Sequence, residues 1–393
     1  METDVCVVGG GPAGLVLGLL LARQGAEVVV CEKHEDFLRD FRGDTVHPST
    51  LDLLAELGLS KEFDALPHRT VERLEVDLPD GVWPVGDLTR LSGAHPYVAM
   101  VPQWDLLELL ARYAGQYPSF TLLRSTEVTG VIRENGVVKG VRTTEHGDIR
   151  ARLTVAADGR HSTVRRVLGL KSRDFGAPMD VAWFRLSRRE TDGEGLVGHI
   201  RKGRILVTID RGDYWQAAYV FPKNGFERVK AEGLPAFKAS ITDLAPSLGD
   251  RVDEITDWGT VRVLTVTVDR LQRWHVPGAL LLGDAAHAMS PIGGVGINLA
   301  VQDAVAAARI LAEPLREKKL SSAVLAEVQR RRTLPTVGTQ LFQRLAQNAV
   351  IRPVLSGGRP VTAPFPLRML RRFPALQVIP ARLIGVGIRP EKL

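Results

Sequence analysis

Three glycines and one carboxylate near the start of the chain carry the first chemistry. Gly9, Gly11 and Gly14 stand in GxGxxG spacing between the apolar run Val5-Cys6-Val7-Val8 and a helical run opened by Pro12, and Glu32 closes a second apolar run, residues 28–31. A backbone that turns on glycine approaches a pyrophosphate closely, and the helix that follows points its positive end at the phosphates. The acid accepts hydrogen bonds from ribose hydroxyls and repels a 2′-phosphate. The pattern therefore predicts a grip on an unphosphorylated adenosine dinucleotide. The glycine spacing alone is common in turns; the flanking strand, helix and acid make it a binding motif.

Two later stretches repeat the theme of a carboxylate at the end of an apolar strand. Asp158-Gly159 follows residues 151–156 and precedes a helix start at Ser162-Thr163. This puts an acid at the C-terminal edge of a sheet, where open α/β sheets bind ligands. Gly283-Asp284 ends the run 279–282, and a loop of small residues leads through Pro291, Gly293 and Gly294 to a long helix predicted from Gly296 to about Leu311. Small residues admit a large planar ring, Asp284 can hold a hydroxylated chain, and the new helix N-terminus favours negative charge developing on that ring. This suits a flavin better than a nicotinamide. Arg42, in the loop after the acid, is within reach of the pyrophosphate, and Gln103 opens a helix as either a ligand contact or a cap. His47, just before Pro48, reads as a packing or capping residue.

The elements that must position these groups fall into three parts. Residues 1–173 and 275–330 are predicted to form a discontinuous α/β nucleotide domain, with a short β excursion near 71–100 turning at Pro79-Asp80-Gly81. Residues 174–274 alternate with period two and predict a mostly antiparallel sheet that roofs a pocket. Trp183, Tyr219 and Phe221 are its candidate pocket aromatics; period two says which residues share a face, not which face is lined. Residues 331–393 are predicted as a C-terminal helical segment, with a helix interrupted at Pro335.

Composition excludes several classes. The 393 residues are 45% hydrophobic and 24% charged, as in a globular protein of about two domains. The apolar run 15–22 falls short of the roughly 20 residues that cross a bilayer, and no other stretch is read as long enough. The start Met1-Glu2-Thr3-Asp4 runs directly into a motif that has to be retained, which leads to the expectation of a cytoplasmic protein. Cys6 and Cys31, each in a core strand, are expected as reduced thiols rather than a disulfide or metal ligands. The net charge of +6 is concentrated beyond residue 314, where fifteen Lys and Arg face three Glu. Nothing there resembles a nucleic-acid motif, so a solvated basic face is the default and contact with an anionic lipid surface the lesser alternative.

The order and spacing of Gly9-x-Gly11-x-x-Gly14 with Glu32, Asp158-Gly159, and Gly283-Asp284 with Pro291 and 293–298 resemble the single-component, group A flavoprotein monooxygenases, the family of para-hydroxybenzoate hydroxylase. The resemblance covers nearly the whole chain. It implies a Rossmann-like FAD-binding domain, an inserted substrate-binding β-sheet domain and C-terminal helices. It also implies an activity: NADPH or NADH, as a transient co-substrate, reduces FAD, and O2 then yields a flavin C4a-hydroperoxide that hydroxylates an aromatic or polyketide-like small molecule. Carried over, the cofactor residues are Gly9, Gly11, Pro12, Ala13, Gly14, Glu32, Lys33, Arg42, Gln103, Val128, Asp158, Gly283, Asp284, Pro291, Gly294, Gly296, Ile297 and Asn298. Pro291 and Gly293 would also face the substrate, with Trp183, Tyr219 and Phe221. No metal site is implied. Val295 stands where relatives often have a polar residue, and no counterpart of the family's phenol-activating tyrosines or substrate-carboxylate arginine is found, so no catalytic side chain is assigned. The alternatives are an FAD-dependent reductase or dehydrogenase of related fold, or a flavin-binding protein without turnover. No Trp-x-Trp pair of the kind found in flavin halogenases is present.

Overall fold

The computed structural model describes residues 1–38, 45–357 and 361–393. Its central strand, Glu2–Val8, is buried from Val5 to Val8 and pairs in parallel with Val28–Cys31 on one side and Asp148–Ala156 on the other. Phe120–Leu123 and Ala279–Leu281 extend the sheet outward, also in parallel, and the hairpin of Val128–Glu134 and Val137–Thr143 joins antiparallel. The all-buried Val28–Cys31 strand is what a parallel sheet covered on both faces requires. Helix Pro12–Arg23, buried at every position from Ala13 to Ala22, packs along helix Gly296–Arg316.

The first turn explains its glycines. Gly9 has φ +102°, and its N–H donates to the Cys31 carbonyl at 2.8 Å. A Cβ on Gly9 would stand 2.5 Å from the Ala157 oxygen, and one on Gly14 would stand 1.9 Å from the Gly9 oxygen, whereas Gly11 faces open space. Two glycines are thus fixed by packing, and the third leaves room for a ligand. Cys6 and Cys31 lie on adjacent strands as free, buried thiols with their sulfurs 4.0 Å apart.

The second sheet runs in the order Arg262–Leu264, Met179–Ser187, Tyr214–Pro222, Arg204–Asp210, Leu196–Arg201, Arg73–Leu78, Gly81–Asp87. Residues 73–87 are therefore not an excursion of the nucleotide domain. Val76 sits beside Gly198 in a parallel pairing that makes the hairpin the far edge of the inserted sheet. The turn is legible locally, but its partner strand is about 120 residues away. Between the two sheets, Thr45–Val46, Val98–Met100 and Arg69–Val71 form a small third one.

Register assigns the faces. Ala182 is opposite Tyr219 and Asp180 opposite Phe221. Tyr219, Phe221, Phe184 and Leu206 form a core with Phe237 and Ile241 of helix Leu234–Leu244. Trp183, Val207 and Val220 point the other way, toward a cluster that includes Ile292, Val350 and Val354.

Two readings of the helices need correction. Ser322–Ala346 runs uninterrupted through Pro335. The missing N–H weakens the ladder, but Arg332 and Gln340 anchor the helix to buried partners on either side of the proline. A helix long and apolar enough to cross a bilayer also exists among the described residues, Ile292–Arg316, with mean hydropathy 1.4. Its most apolar window is 72% buried, so its apolar length serves the core.

Gly14→Ala should lower stability by about 2 kcal/mol, the usual scale for forcing a methyl into closed packing. Urea unfolding measures this, and Gly11→Ala, which meets no protein atom, should leave the midpoint nearly unchanged.

Candidate functional site

The adenosine end is built on backbone. Glu32, 6% exposed, accepts N–H bonds from Gly10 at 2.9 Å and His34 at 3.1 Å, which fixes its carboxylate beside the glycine turn. The Glu32 carbonyl accepts from Thr126 N–H at 2.8 Å, bringing the chain that leads into Val128 against the acid. Val128 is buried, Lys33 is exposed, and Gln103 opens helix Gln103–Ala114 half-buried. Arg42 lies outside the described residues.

At the next strand end, Asp158 caps helix Thr163–Val167 by accepting from Thr163 N–H at 2.8 Å and Val164 N–H at 3.3 Å. Its other carboxylate oxygen is buried with no hydrogen-bond partner. Burial pushes the Asp158 carboxyl above its ordinary range, against the pull of those N–H groups. Asp284 lies 3.6 Å from the Arg160 guanidinium and keeps a third of its side chain exposed. A Cβ on Gly283 would stand 3.1 Å from Ala300 Cβ and 3.6 Å from Ala13 Cβ, so the first and third motifs touch at small residues.

The loop from Ala288 to Gly296 is clamped from both sides. On one side the Gly294 carbonyl accepts from Thr45 Oγ at 2.8 Å and contacts His47 Nε2 at 3.1 Å, and a Cβ on Gly294 would stand 2.6 Å from the Thr45 hydroxyl. Asn298 adds to this by accepting from the Ser49 and Thr50 hydroxyls, both at 2.8 Å. Its side-chain carbonyl thus holds the start of helix Pro48–Glu56. On the other side a row of amides on helix Ser322–Ala346 and the turn after it reads the loop backbone. Gln343 donates to the Ser290 and Ile292 carbonyls at 2.8 and 2.9 Å and accepts from Ser290 N–H. Gln347 donates to the Ser290 hydroxyl, and Gln340 donates to the Asp269 and Ala288 carbonyls. Sequence reasoning missed these three; the available clue was their 3-and-4 spacing, which places three amides on one helical face.

Behind the loop lies a buried charge cluster, also missed. Asp303, fully buried, contacts His287 Nε2 at 2.6 Å and accepts from Arg332 Nε at 2.8 Å and Gly283 N–H at 3.2 Å. Burial pushes the Asp303 carboxyl up, but His287 and Arg332 outweigh it and hold it below the usual range. Arg332 continues to Glu391, which Arg331 also clasps with two bonds of 2.8 and 2.7 Å. The basic tail is therefore partly internal.

Of the three sheet aromatics, only Trp183 faces this loop. It packs in the same cluster as Ile292, and its indole nitrogen is buried with no hydrogen-bond partner. Tyr219 and Phe221 do not line the pocket. Tyr219 is T-shaped on Phe237 at 5.1 Å with its hydroxyl 2.9 Å from Ser240, and Phe221 stacks beside Phe226, both beneath the outer helices.

A match to the family described as FAD binding domain spans residues 2–341. The 6-methylpretetramide 4-monooxygenase of Streptomyces rimosus is 35% identical over 97% of this chain and 92% of its own length. The chain belongs to the FAD-dependent monooxygenases. Protoasukamycin 4-monooxygenase of Streptomyces nodosus subsp. asukaensis is 31% identical over 80% of this chain and 81% of its own. The solved OxyS anhydrotetracycline hydroxylase of Streptomyces rimosus superposes with a TM-score of 0.77 at 25% identity, covering all of this chain and 77% of that one. The site of this monooxygenase fits FAD on its own evidence. Gly11 leaves space at the helix start, Glu32 is pinned for ribose, Asp158 holds an unpartnered oxygen, and Asp284 is partly open beside Arg160.

His47 gives this monooxygenase a pH signature. Burial lowers its pKa to about 4, against carbonyls of Gly294 and Ile384 that favour the proton. The unfolded chain protonates the same group near 6.5. The unfolded state therefore takes up the proton first, and stability falls as pH drops from 6.5 towards 4. Linkage puts the loss at about 2 kcal/mol by pH 5. Urea unfolding at pH 7 and pH 5 should show wild type losing about that much more than His47→Gln.

Proposed function

We propose that this enzyme uses a reduced nicotinamide nucleotide and O2 to hydroxylate an aromatic, polyketide-like small molecule held between the inserted sheet and the loop from Ser290 to Gly294. The observation that carries this reading is Trp183: a buried, unpartnered indole N–H on the sheet face that packs with Ile292. A buried donor without a partner costs about 1–3 kcal/mol, which a substrate oxygen would relieve. The relatives named for polyketide-like substrates support the same class.

FAD, when bound and reduced, supplies the oxygen-activating chemistry. The chain does the rest. Glu32 and the glycine turn hold the adenosine half, and Asp158 and Asp284 lie toward the pyrophosphate and the hydroxylated chain. The small-residue loop would let the ring approach the backbone, and the clamps on Ser290, Ile292 and Gly294 hold that loop in shape. Leu74, Leu91, Leu196 and Val207 join Trp183 in packing apolar surface against the core of Leu88, Met100 and Ile209. That surface excludes water, which keeps activated oxygen from escaping as peroxide.

The test follows nucleotide consumption, product and peroxide across a panel of phenols and fused-ring polyketides, with and without O2. Substrate-stimulated consumption with oxygen incorporation is expected; equal turnover without O2 means a reductase. Trp183→Phe keeps the ring and loses the donor. It should raise KM about tenfold, as loss of one buried hydrogen bond does, with the flavin spectrum unchanged.

A further inference from the structure

One groove lies outside everything described so far. It holds about 340 Å³ and is lined by Phe175, Gly176, Ala177, Pro178, Arg344, Gln347, Asn348 and Arg352. Three guanidinium groups surround the Phe175 ring: Arg173 at 5.3 Å, Arg270 at 5.1 Å and Arg344 at 5.1 Å from its centre. Arg352 adds a fourth cation from the groove wall. These come from three separate parts of the chain, so their meeting is a property of the fold.

Like charges gathered this closely repel, and proteins ordinarily place carboxylates among them. Here none is supplied. Among the described residues, no carboxylate pairs with any of the four, and no side-chain hydrogen bond is made by Arg173, Arg344 or Arg352. Arg270 donates to Gln340, a neutral amide. The two nearest acids in sequence are engaged elsewhere: Asp174 accepts from Gly176 N–H at 2.8 Å, and Asp269 is paired with Arg165 at 3.0 Å. Arg270 reflects the repulsion, since burial and the facing Arg173 and Arg344 pull its pKa below the ordinary value. A cluster of forked donors without counterions beside an open groove is chemistry made for phosphate oxygens.

The position narrows the ligand. Gln347 lines the groove and bonds the Ser290 hydroxyl, and Gln340 joins Arg270 to the Ala288 carbonyl. The groove is thus one side chain removed from the loop assigned above to the flavin ring. Something anionic docked there lies next to the redox centre without entering the adenosine site behind Glu32. We propose that Arg173, Arg270 and Arg344, gathered round Phe175, form with Arg352 of the groove wall the docking site for the phosphate groups of the reduced nicotinamide nucleotide. With four cations and no acid, the site favours the nucleotide carrying an additional 2′-phosphate, the opposite preference to that of Glu32. This inference rests on the functional reading above only in taking a nicotinamide nucleotide as the reductant.

The test uses the FAD-loaded enzyme and ligands that cannot reduce it. NADP⁺, NAD⁺, 2′,5′-ADP and inorganic pyrophosphate are titrated by calorimetry into wild type, Arg344→Gln, Arg352→Gln and the exposed control Arg330→Gln. NADP⁺ and 2′,5′-ADP are expected to bind wild type at least tenfold more tightly than NAD⁺. Arg344→Gln and Arg352→Gln should each lose at least tenfold of that affinity, and Arg330→Gln should lose none. Arg344→Lys, which restores charge, should recover part of the loss. Flavin absorbance and melting temperature report that the variants are folded; Arg352 is exposed, so it stands if Arg344→Gln does not. Affinities for NADP⁺ unchanged within threefold in the folded variants overturn the site, as does arginine dependence seen for pyrophosphate but not for the nucleotides. Anaerobic reduction of wild-type flavin by NADPH is followed alongside. If no nicotinamide nucleotide reduces it, the functional reading fails; if reduction is normal and equal in the variants, only this site fails.

Discussion

A carboxylate with no access to water governs the ligand face of this protein. Asp303 is charged inside the core only because His287, Arg332 and the Gly283 N–H converge on it. Removing one partner from such a cluster typically costs about 3–5 kcal/mol, since the remaining charge is left without compensation. The three partners belong to the turn before Asp284, the loop that follows and the helix Ser322–Ala346. One buried charge therefore fixes the distance between the strand end that carries Asp284 and the helix whose amides read the loop from Ala288 to Gly296. The glycine-rich loop buries Met289 and Val295 but offers no side chain to pack at Gly293 and Gly294. Its shape comes from backbone bonds to Gln340, Gln343, Thr45 and His47, each supplied by an element that Asp303 and Asn298 hold in place.

The inserted sheet shows how one strand can serve two purposes. Along Met179–Ser187 the side chains alternate between an aromatic core under helix Leu234–Leu244 and a face turned toward Ile292. The outer face carries the stability, with Phe184, Tyr219 and Phe237 meeting edge to face. The inner face is then free to carry Trp183 with its indole N–H unmatched. A buried polar group left unpaired on a face otherwise well packed points to a visitor with an oxygen to offer.

Much of this was legible in the chain. The glycine turn, Glu32, Asp158 and Asp284 announce themselves because their chemistry depends on local spacing, and local spacing is what a sequence displays. The face occupied by Tyr219 and Phe221 was not legible, since alternation fixes parity and leaves the choice of side to whatever packs above. The hairpin at 73–87 had a readable turn and an unreadable partner for the same reason. Asp303, Arg332 and Glu391 are single charged residues separated by dozens of positions, and no periodicity links them. The four arginines of the groove are further from view still: on paper they belong to a basic tail and two short strands, and only the fold shows that three of them share the Phe175 ring.

The buried cluster also orders events during synthesis. Arg332 and Glu391 are separated by 59 positions, and both follow the Gly283-Asp284 turn that they help to stabilise. A nascent chain thus completes the glycine turn and the Gly283-Asp284 turn before Arg332, the guanidinium that offsets Asp303, leaves the ribosome. Until it does, Asp303 lacks the guanidinium that helps to hold its charge inside the core.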